Sequence, residues 1–336
     1  MTKYDLIIIG CGPAGFAGAM RAIDLGKKVC IIERDQIGGA GIFWGALASK
    51  CLWELSKDFN IADRIDRGYR ASGLHVDFKE VRKTVWNASK EKQNQMLSQI
   101  ESYRPENGRI GSIELKRGLA HFIDEHTIEV QRKDQEPYQL QAEKFLLDTG
   151  SRPRPFPGIP FNHKNIVSSD SILSLKEFPQ RILIVGAGII GCEYATIFSN
   201  FKQSEVFLVD RAKRILPFED RDISGFIGKN LTENGVHVFH EAGLREAREL
   251  SENGELEVVL DFDQGHSKVL EVDVVLICIG RIPNTDKLAL EKIGVHPNAR
   301  GLLEGEHNCQ VTSNLYAAGD ITPGAALVNI GEMEGR

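Results

Sequence analysis

Two distant stretches of the chain follow one plan, and that repetition restricts the fold more than any other feature. The first runs from Leu6-Ile7-Ile8-Ile9 through Gly10-Cys11-Gly12-Pro13-Ala14-Gly15 and a helical stretch to Val29-Cys30-Ile31-Ile32, closed by Glu33. The second runs from Ile182-Leu183-Ile184-Val185 through Gly186-Ala187-Gly188-Ile189-Ile190-Gly191 and a helical stretch to Val206-Phe207-Leu208-Val209, closed by Asp210. An apolar β-rich run, a glycine turn, a helix and a second apolar run make a βαβ unit. Glu33 follows Gly10 by 23 positions and Asp210 follows Gly186 by 24. In G-x-G-x-x-G the first glycine allows the tight turn, the second lets backbone approach a pyrophosphate, and the third lets helix pack on strand. The pyrophosphate then rests on a helix N-terminus, and the closing acid accepts hydrogen bonds from a ribose. One such motif is weak. Two, each with its strands, helix and acid, predict two dinucleotide-binding domains.

The intervening segments fit an α/β fold of two Rossmann-like domains. Residues 44–66 and 78–101 have helical spacing, with Trp44, Leu47, Ala48, Cys51, Leu52 and Leu55 on one apolar stripe. Residues 111–147 alternate as strands, and an apolar strand is expected over 272–279. The Pro/Gly-rich runs Thr149-Gly150-Ser151-Arg152-Pro153-Arg154-Pro155-Phe156-Pro157-Gly158 and Gly280-Arg281-Ile282-Pro283-Asn284 read as crossings between domains. The expected plan is an outer domain over 1–149, an inner one inserted over 150–279, and the outer one resumed over 280–336. A formal charge of −6 argues against nucleic acid or an anionic membrane as partner. No apolar run approaches the roughly 20 residues of a membrane span. The first residues pass into Leu6-Ile7-Ile8-Ile9 without a basic-then-apolar leader, so the expected location is cytoplasmic. Six cysteines without a C-x-x-C predict reduced thiols, no disulfide framework and no metal site.

Two dinucleotide sites in one chain imply electron transfer between cofactors, commonly a flavin and a nicotinamide. Here the sequence resembles the flavoproteins with two dinucleotide domains that include glutathione reductase and dihydrolipoamide dehydrogenase, and more closely the soluble pyridine nucleotide transhydrogenases. The resemblance runs along essentially the whole chain. It includes Ser169-Asp170-Ser171-Ile172-Leu173-Ser174, Gly186 through Ala195, Asn284-Thr285-Asp286 and Tyr316-Ala317-Ala318-Gly319-Asp320. It implies FAD in the outer domain, with Asp320 on the ribityl chain, and NAD(H) in the inner domain, with NADP(H) as an alternative. Besides the two glycine motifs with Glu33 and Asp210, the cofactor contacts it implies are Arg34, Gly38, Gly39, Lys50, Ala120, Thr149, Gly150, Glu193, Arg211, Gly280, Arg281, Gly319, Ala326 and Leu327.

In the disulfide reductases of that family, a C-x-x-x-x-C relay follows the Glu33 loop. Its positions fall here on Gly41 and Ala46. A dithiol relay needs two sulfurs, so disulfide reduction is not expected. The transhydrogenase pattern fits better, and implies hydride passing from NADPH to flavin and from flavin to NAD+. Lys50 and Glu193, paired beside flavin N5 in the family, are the expected catalytic residues. An NADH diaphorase, a dihydrolipoamide dehydrogenase-like relative and an inactive dinucleotide-binding fragment are the alternatives. At the inner site Asp210 suits an unphosphorylated ribose, while Arg211, Lys213 and Arg214 suit a 2′-phosphate, and both readings stand. Family members continue past the position of Arg336 into a domain that forms a homodimer. That domain is expected to be absent, the dimer is expected only if it is supplied, and a fragment and a short form both remain open. The chain's last residues are expected to form a helix leading from Asp320, with Ala325, Ala326, Leu327, Val328 and Ile330.

Overall fold

The computed structural model describes residues 3–64, 66, 68, 70, 73–250, 254–306 and 308–336. Met1 and Thr2, the first residues of the segment expected to carry no leader, and part of the end of the expected 44–66 helix lie outside the described residues. In chain order the elements are β1 (Lys3–Ile9), α1 (Pro13–Asp24), β2 (Lys28–Glu33), α2 (Gly39–Phe43), α3 (Ala46–Ala62), α4 (Phe78–Ser102), β3 (Ser112–Arg117), β4 (Leu119–Asp124), β5 (Thr127–Arg132) and β6 (Gln135–Leu147). There follow β7 (Ser151–Pro153), β8 (Ile166–Ser168), β9 (Arg181–Val185), α5 (Ile189–Phe201), β10 (Glu205–Val209), α6 (Arg221–Glu233) and β11 (His237–Phe239). The chain closes with β12 (Ala242–Glu249), β13 (Leu256–Phe262), β14 (Ser267–Val272), β15 (Val274–Ile277), β16 (Arg281–Pro283), β17 (Leu315–Ala317) and α7 (Val328–Gly335).

These elements cluster into two units, one of residues 1–47, 88–152 and 282–336, the other of residues 48–87 and 153–281. In the first, β3, β2, β1, β6 and β17 lie side by side, all parallel. Their central strands are apolar throughout because both faces are buried, one by α1 and α4, the other by the strands β4 and β5 and by Leu288, Leu290, Val295 and Leu303. Alternate residues go to opposite sides: Ile7 and Ile9 join one buried cluster, Ile8 the other. The long β6 has two jobs. Its second half pairs with β1, and its first half closes an antiparallel meander with β5 and β4.

The second unit repeats this wiring. Its parallel sheet runs β11-β10-β9-β15-β8, and Ile182 and Ile184 face one cluster while Leu183 and Val185 face the other. Here too an antiparallel meander, β12-β13-β14, precedes the strand that returns beside the first. The duplication therefore extends beyond the two motifs to sheet order and meander. Residues 48–87, which the sequence reading placed in the outer domain, cluster with the second unit. Leu52, Phe78, Val81 and Val85 are buried in the same cluster as Phe198 and Phe201.

Two local expectations are corrected. The apolar run over 272–279 is not one strand. It breaks at Asp273, whose carboxylate accepts the Arg181 N–H at 2.7 Å, so β14 belongs to the meander and β15 to the parallel sheet. The last helix does not lead directly from Asp320 either, but begins at Val328. Pro323 lacks an N–H and Gly324 favours irregular backbone, so residues 321–327 form a loop. Ala325, Ala326 and Leu327 are exposed in that loop. No helix among the described residues is long and apolar enough to cross a membrane.

Candidate functional site

The two glycine turns have nearly the same geometry. Gly10 and Gly186 both have φ +102°, a conformation that side chains disfavour. A Cβ on Gly10 would fall on the carbonyl oxygen of Asp148, and one on Gly186 on that of Cys278. Each glycine N–H donates to the end of the neighbouring strand, Gly10 to Ile32 and Gly186 to Val209, both at 2.8 Å. Gly12 and Gly188 are the extended N-caps of α1 and α5, and Pro13 takes the first helical position of α1, where its missing N–H costs nothing. Gly15 and Gly191 lie against the carbonyls of Gly10 and Gly186, so neither has room for a methyl group. Beyond Gly188 there is open space, as backbone approach by a pyrophosphate requires. Both cradles share the backbone a dinucleotide needs, and at the first the Asp148 carboxyl stands beside Gly12.

The closing acids also match. Glu33 Oε2 accepts the Cys11 N–H at 2.7 Å and its Oε1 the Asp35 N–H at 2.6 Å. Asp210 Oδ2 accepts the Ala187 N–H at 2.6 Å and its Oδ1 the Ala212 N–H at 2.7 Å. Each carboxylate thus braces its glycine turn and retains lone pairs for a ribose. Burial raises the Glu33 carboxyl, and the two N–H donors counter part of that rise. Gly38 and Gly39 take positive φ where the loop enters α2, while Arg34 beside them is exposed.

One acid at the first turn escaped the sequence reading. Asp148 directly follows β6, and its Oδ2 accepts the Gly15 N–H at 2.6 Å. Burial, with the nearby charges of Glu33 and Asp320, pushes its carboxyl up to about 8. A signal was there to use: a charge directly after a buried parallel strand stands at the edge where such sheets bind ligands. Next to it, Thr149 Oγ1 donates to the Asn284 carbonyl at 2.8 Å, and Gly150 turns with φ +62°. Asp320 Oδ2 accepts the Ser151 hydroxyl at 2.6 Å. Gly319 has φ +75°, and its N–H donates to Glu334 Oε2 at 2.7 Å. Ala120 is buried within β4.

In the second unit, Lys50 Nζ lies 2.7 Å from Glu193 Oε1, and the Ser49 hydroxyl donates to the same oxygen at 3.0 Å. The lysine side chain is 63% exposed and the glutamate only 16%, so Glu193 is the fixed member and Lys50 reaches to it from solvent. Ile190 is half-buried one turn earlier on α5. The relay positions lack sulfur. Gly41 has no room for one without adjustment, since a Cβ there would stand 2.7 Å from Pro13 Cγ. Ala46 opens α3.

The basic cluster after Asp210 divides. Arg214 is committed to the Pro217 carbonyl at 2.8 Å and the Ser224 hydroxyl at 3.2 Å. Arg211 is exposed, its guanidinium against Gly243, and Lys213 is exposed 3.8 Å from Glu241. Gly280 takes φ +105°, and its carbonyl accepts the Arg154 N–H at 2.9 Å. Arg281 gives its guanidinium to Asp170 in a two-point pair of 2.7 and 3.2 Å.

A family model described as pyridine nucleotide-disulphide oxidoreductase matches residues 4–335. The dihydrolipoyl dehydrogenase of Geobacillus stearothermophilus is 33% identical over 338 residues, covering 99% of this chain and 68% of the relative. The soluble pyridine nucleotide transhydrogenase of Chromohalobacter salexigens is 35% identical over 336 residues, covering 99% of this chain and 70% of the relative. Among solved structures, the Cu(II) complex of the HOCl-induced flavoprotein disulfide reductase RclA from Escherichia coli matches with a TM-score of 0.85 at 28% identity, covering 100% of this chain and 70% of that one.

Proposed function

The chain belongs to the pyridine nucleotide-disulphide oxidoreductase family, whose members use FAD and NAD(P)H, and on that premise we propose that it passes hydride between nicotinamide nucleotides without a dithiol relay. In this reading the reaction is NADPH + NAD+ to NADP+ + NADH. One observation carries it: glycine and alanine stand at the relay positions, while both glycine cradles and the Lys50–Glu193 pair are complete. Bound FAD supplies the two-electron acceptor. The protein's part is placement and charge. The first unit's turn, with Glu33 and Asp320, holds the flavin nucleotide, and the second unit's turn, with Asp210, holds the nicotinamide nucleotide. Glu193 fixes the Lys50 ammonium, which offsets the negative charge that builds as hydride is delivered.

Anaerobic titration tests this. Bleaching of the flavin by NADPH, followed by reoxidation with NAD+, supports it. Bleaching by neither nucleotide sinks it. A second reading, an NADH diaphorase, draws support from the commitment of Arg214 to its own turn, which removes one of the three basic residues beside Asp210 and leaves Arg211 and Lys213 exposed. Its mark is bleaching by NADH alone with transfer to a quinone or dye.

Two further results are expected. Alkylating the native enzyme should leave turnover within roughly a factor of two, because thiolates are the reactive form and burial raises every thiol here. Cys30 and Cys192 are pushed up to about 12, and Cys11, Cys51, Cys278 and Cys309 are also raised. Activity lost in step with Cys51 labelling would contradict the thiol-free mechanism. Asp210→Ala should weaken NADH binding by about 1–3 kcal/mol, the worth of a charged hydrogen bond, and NADPH binding by less. Asp210→Asn keeps an acceptor for only one of the two turn N–H groups, so thermal unfolding of each variant is followed alongside binding to separate ribose recognition from damage to the turn. Equal weakening of both nucleotides would remove Asp210 from the ribose.

A further inference from the structure

The duplication makes one difference between the two turns conspicuous. At the end of the strand beside β1 stands Asp148, and at the matching place beside β9 stands Cys278. Beyond Gly188 the second cradle is open, whereas a Cβ on Gly12 would meet Asp148 Oδ2 at 2.8 Å. The same carboxyl group takes the Gly15 N–H at 2.6 Å and lies 3.3 Å from where a Gly319 Cβ would be. Three glycines therefore enclose one acid at the helix end on which a dinucleotide's pyrophosphate rests.

Resting on the family's use of FAD, we propose that Asp148 is a binding residue for the flavin nucleotide, and that it must carry its proton for the pyrophosphate to seat. As a carboxylate it can only accept hydrogen bonds and repels a phosphate at close range. As an acid it has an O–H to donate while its other oxygen keeps the Gly15 N–H. The surroundings favour the acid. Glu33 from the end of β2 and Asp320 from the loop after β17 both place negative charge on it, and burial adds to their effect. Glu334 of α7 faces the adjoining Gly319 N–H, and the buried Cys11 thiol of the turn adds no cation. Arg117 of β3 is the cation that acts on Glu33 and Cys11. With a diphosphate added, the proton is held more tightly still, so cofactor binding takes up a proton once the free site has begun to lose its own.

The experiment compares the FAD-loaded native chain with Asp148→Asn, an amide of the same shape that keeps a donor and an acceptor. Flavin release, read by the rise in free-flavin fluorescence from pH 6 to 10, needs no turnover. The native chain should hold FAD equally well up to about pH 8, then lose affinity at up to about tenfold per unit. Asp148→Asn should stay flat through that range. Binding isotherms in two buffers of different ionisation enthalpy should give proton uptake near pH 8.5 for the native chain, and less for the variant. Tight FAD binding with no pH dependence, or the same slope in the variant, overturns the proposal alone. A chain that takes up no FAD at any pH overturns both it and the cofactor assignment.

Discussion

Without FAD, Asp148→Asn should be more stable than the native chain by several kcal/mol near pH 8, and the two should converge near pH 4. The sign follows from linkage. The folded carboxyl is pushed up to about 8 by burial and by Glu33 and Asp320, from an ordinary value of 3.8. The stability of an acid with a raised pKa is complete below its unfolded pKa and is lost as pH rises toward its folded one. Between these limits the unfolded chain sheds its proton and the folded chain keeps it, at about 1.4 kcal/mol per unit. Four units give an upper figure of about 5 kcal/mol, and relaxation of the site lowers it. The amide does not titrate, so the variant escapes this loss. Glu33 is also raised, but it titrates in both proteins and drops out of the difference. Because the chain has two units, the first unit's own transition is the one to follow, at pH 4.5 and pH 8. Parallel pH profiles in the two proteins would mean that Asp148 is ionised in the fold.

The contrast between Asp148 and Glu33 shows where the sequence was legible. Glu33 closes a local pattern: it lies at a fixed distance beyond Gly10, so strand, turn, helix and acid can be read from neighbouring residues. The same holds for Asp210, and both acids brace their turns as matched partners. Asp148 reaches Gly15 across 133 positions, and only the parallel pairing of β6 with β1 brings them together. The acid after a buried strand marks the ligand edge of the sheet, but no local pattern announces its pairing with Gly15. Arg281 illustrates a different limit. Its place after Gly280 was readable, but not that Asp170 would claim its guanidinium. The break at Asp273 was hidden because Val272 and Val274 look like one apolar run, and only the Arg181 N–H shows where the strand ends. Residues 48–87 had a readable helical stripe, but a stripe does not say which core it covers.

Gly191→Ala should cost the second unit about 3 kcal/mol or more, while Gly188→Ala should leave its stability within about 1 kcal/mol and still weaken nucleotide binding at least tenfold. The two substitutions add the same methyl group three residues apart, so the difference isolates two uses of glycine. At Gly191 the Cβ would fall on the Gly186 carbonyl oxygen, and that atom has nowhere to go. Gly186 is pinned at φ +102°, its N–H bonded to Val209 at 2.8 Å and its own Cβ position filled by the Cys278 carbonyl. Relief would mean lifting α5 from β9 and opening the buried cluster around Ile184, Ala195 and Phe198. At Gly188 the backbone is extended, φ −77°, and a Cβ meets nothing, so the fold tolerates it. That empty space is where a pyrophosphate would approach the start of α5, so the methyl obstructs the ligand and not the protein. Thermal unfolding of the second unit and NADH binding by each variant provide the check. A native-like Gly191→Ala would show that α5 can move away from β9, and a Gly188→Ala that binds NADH normally would place the nucleotide elsewhere.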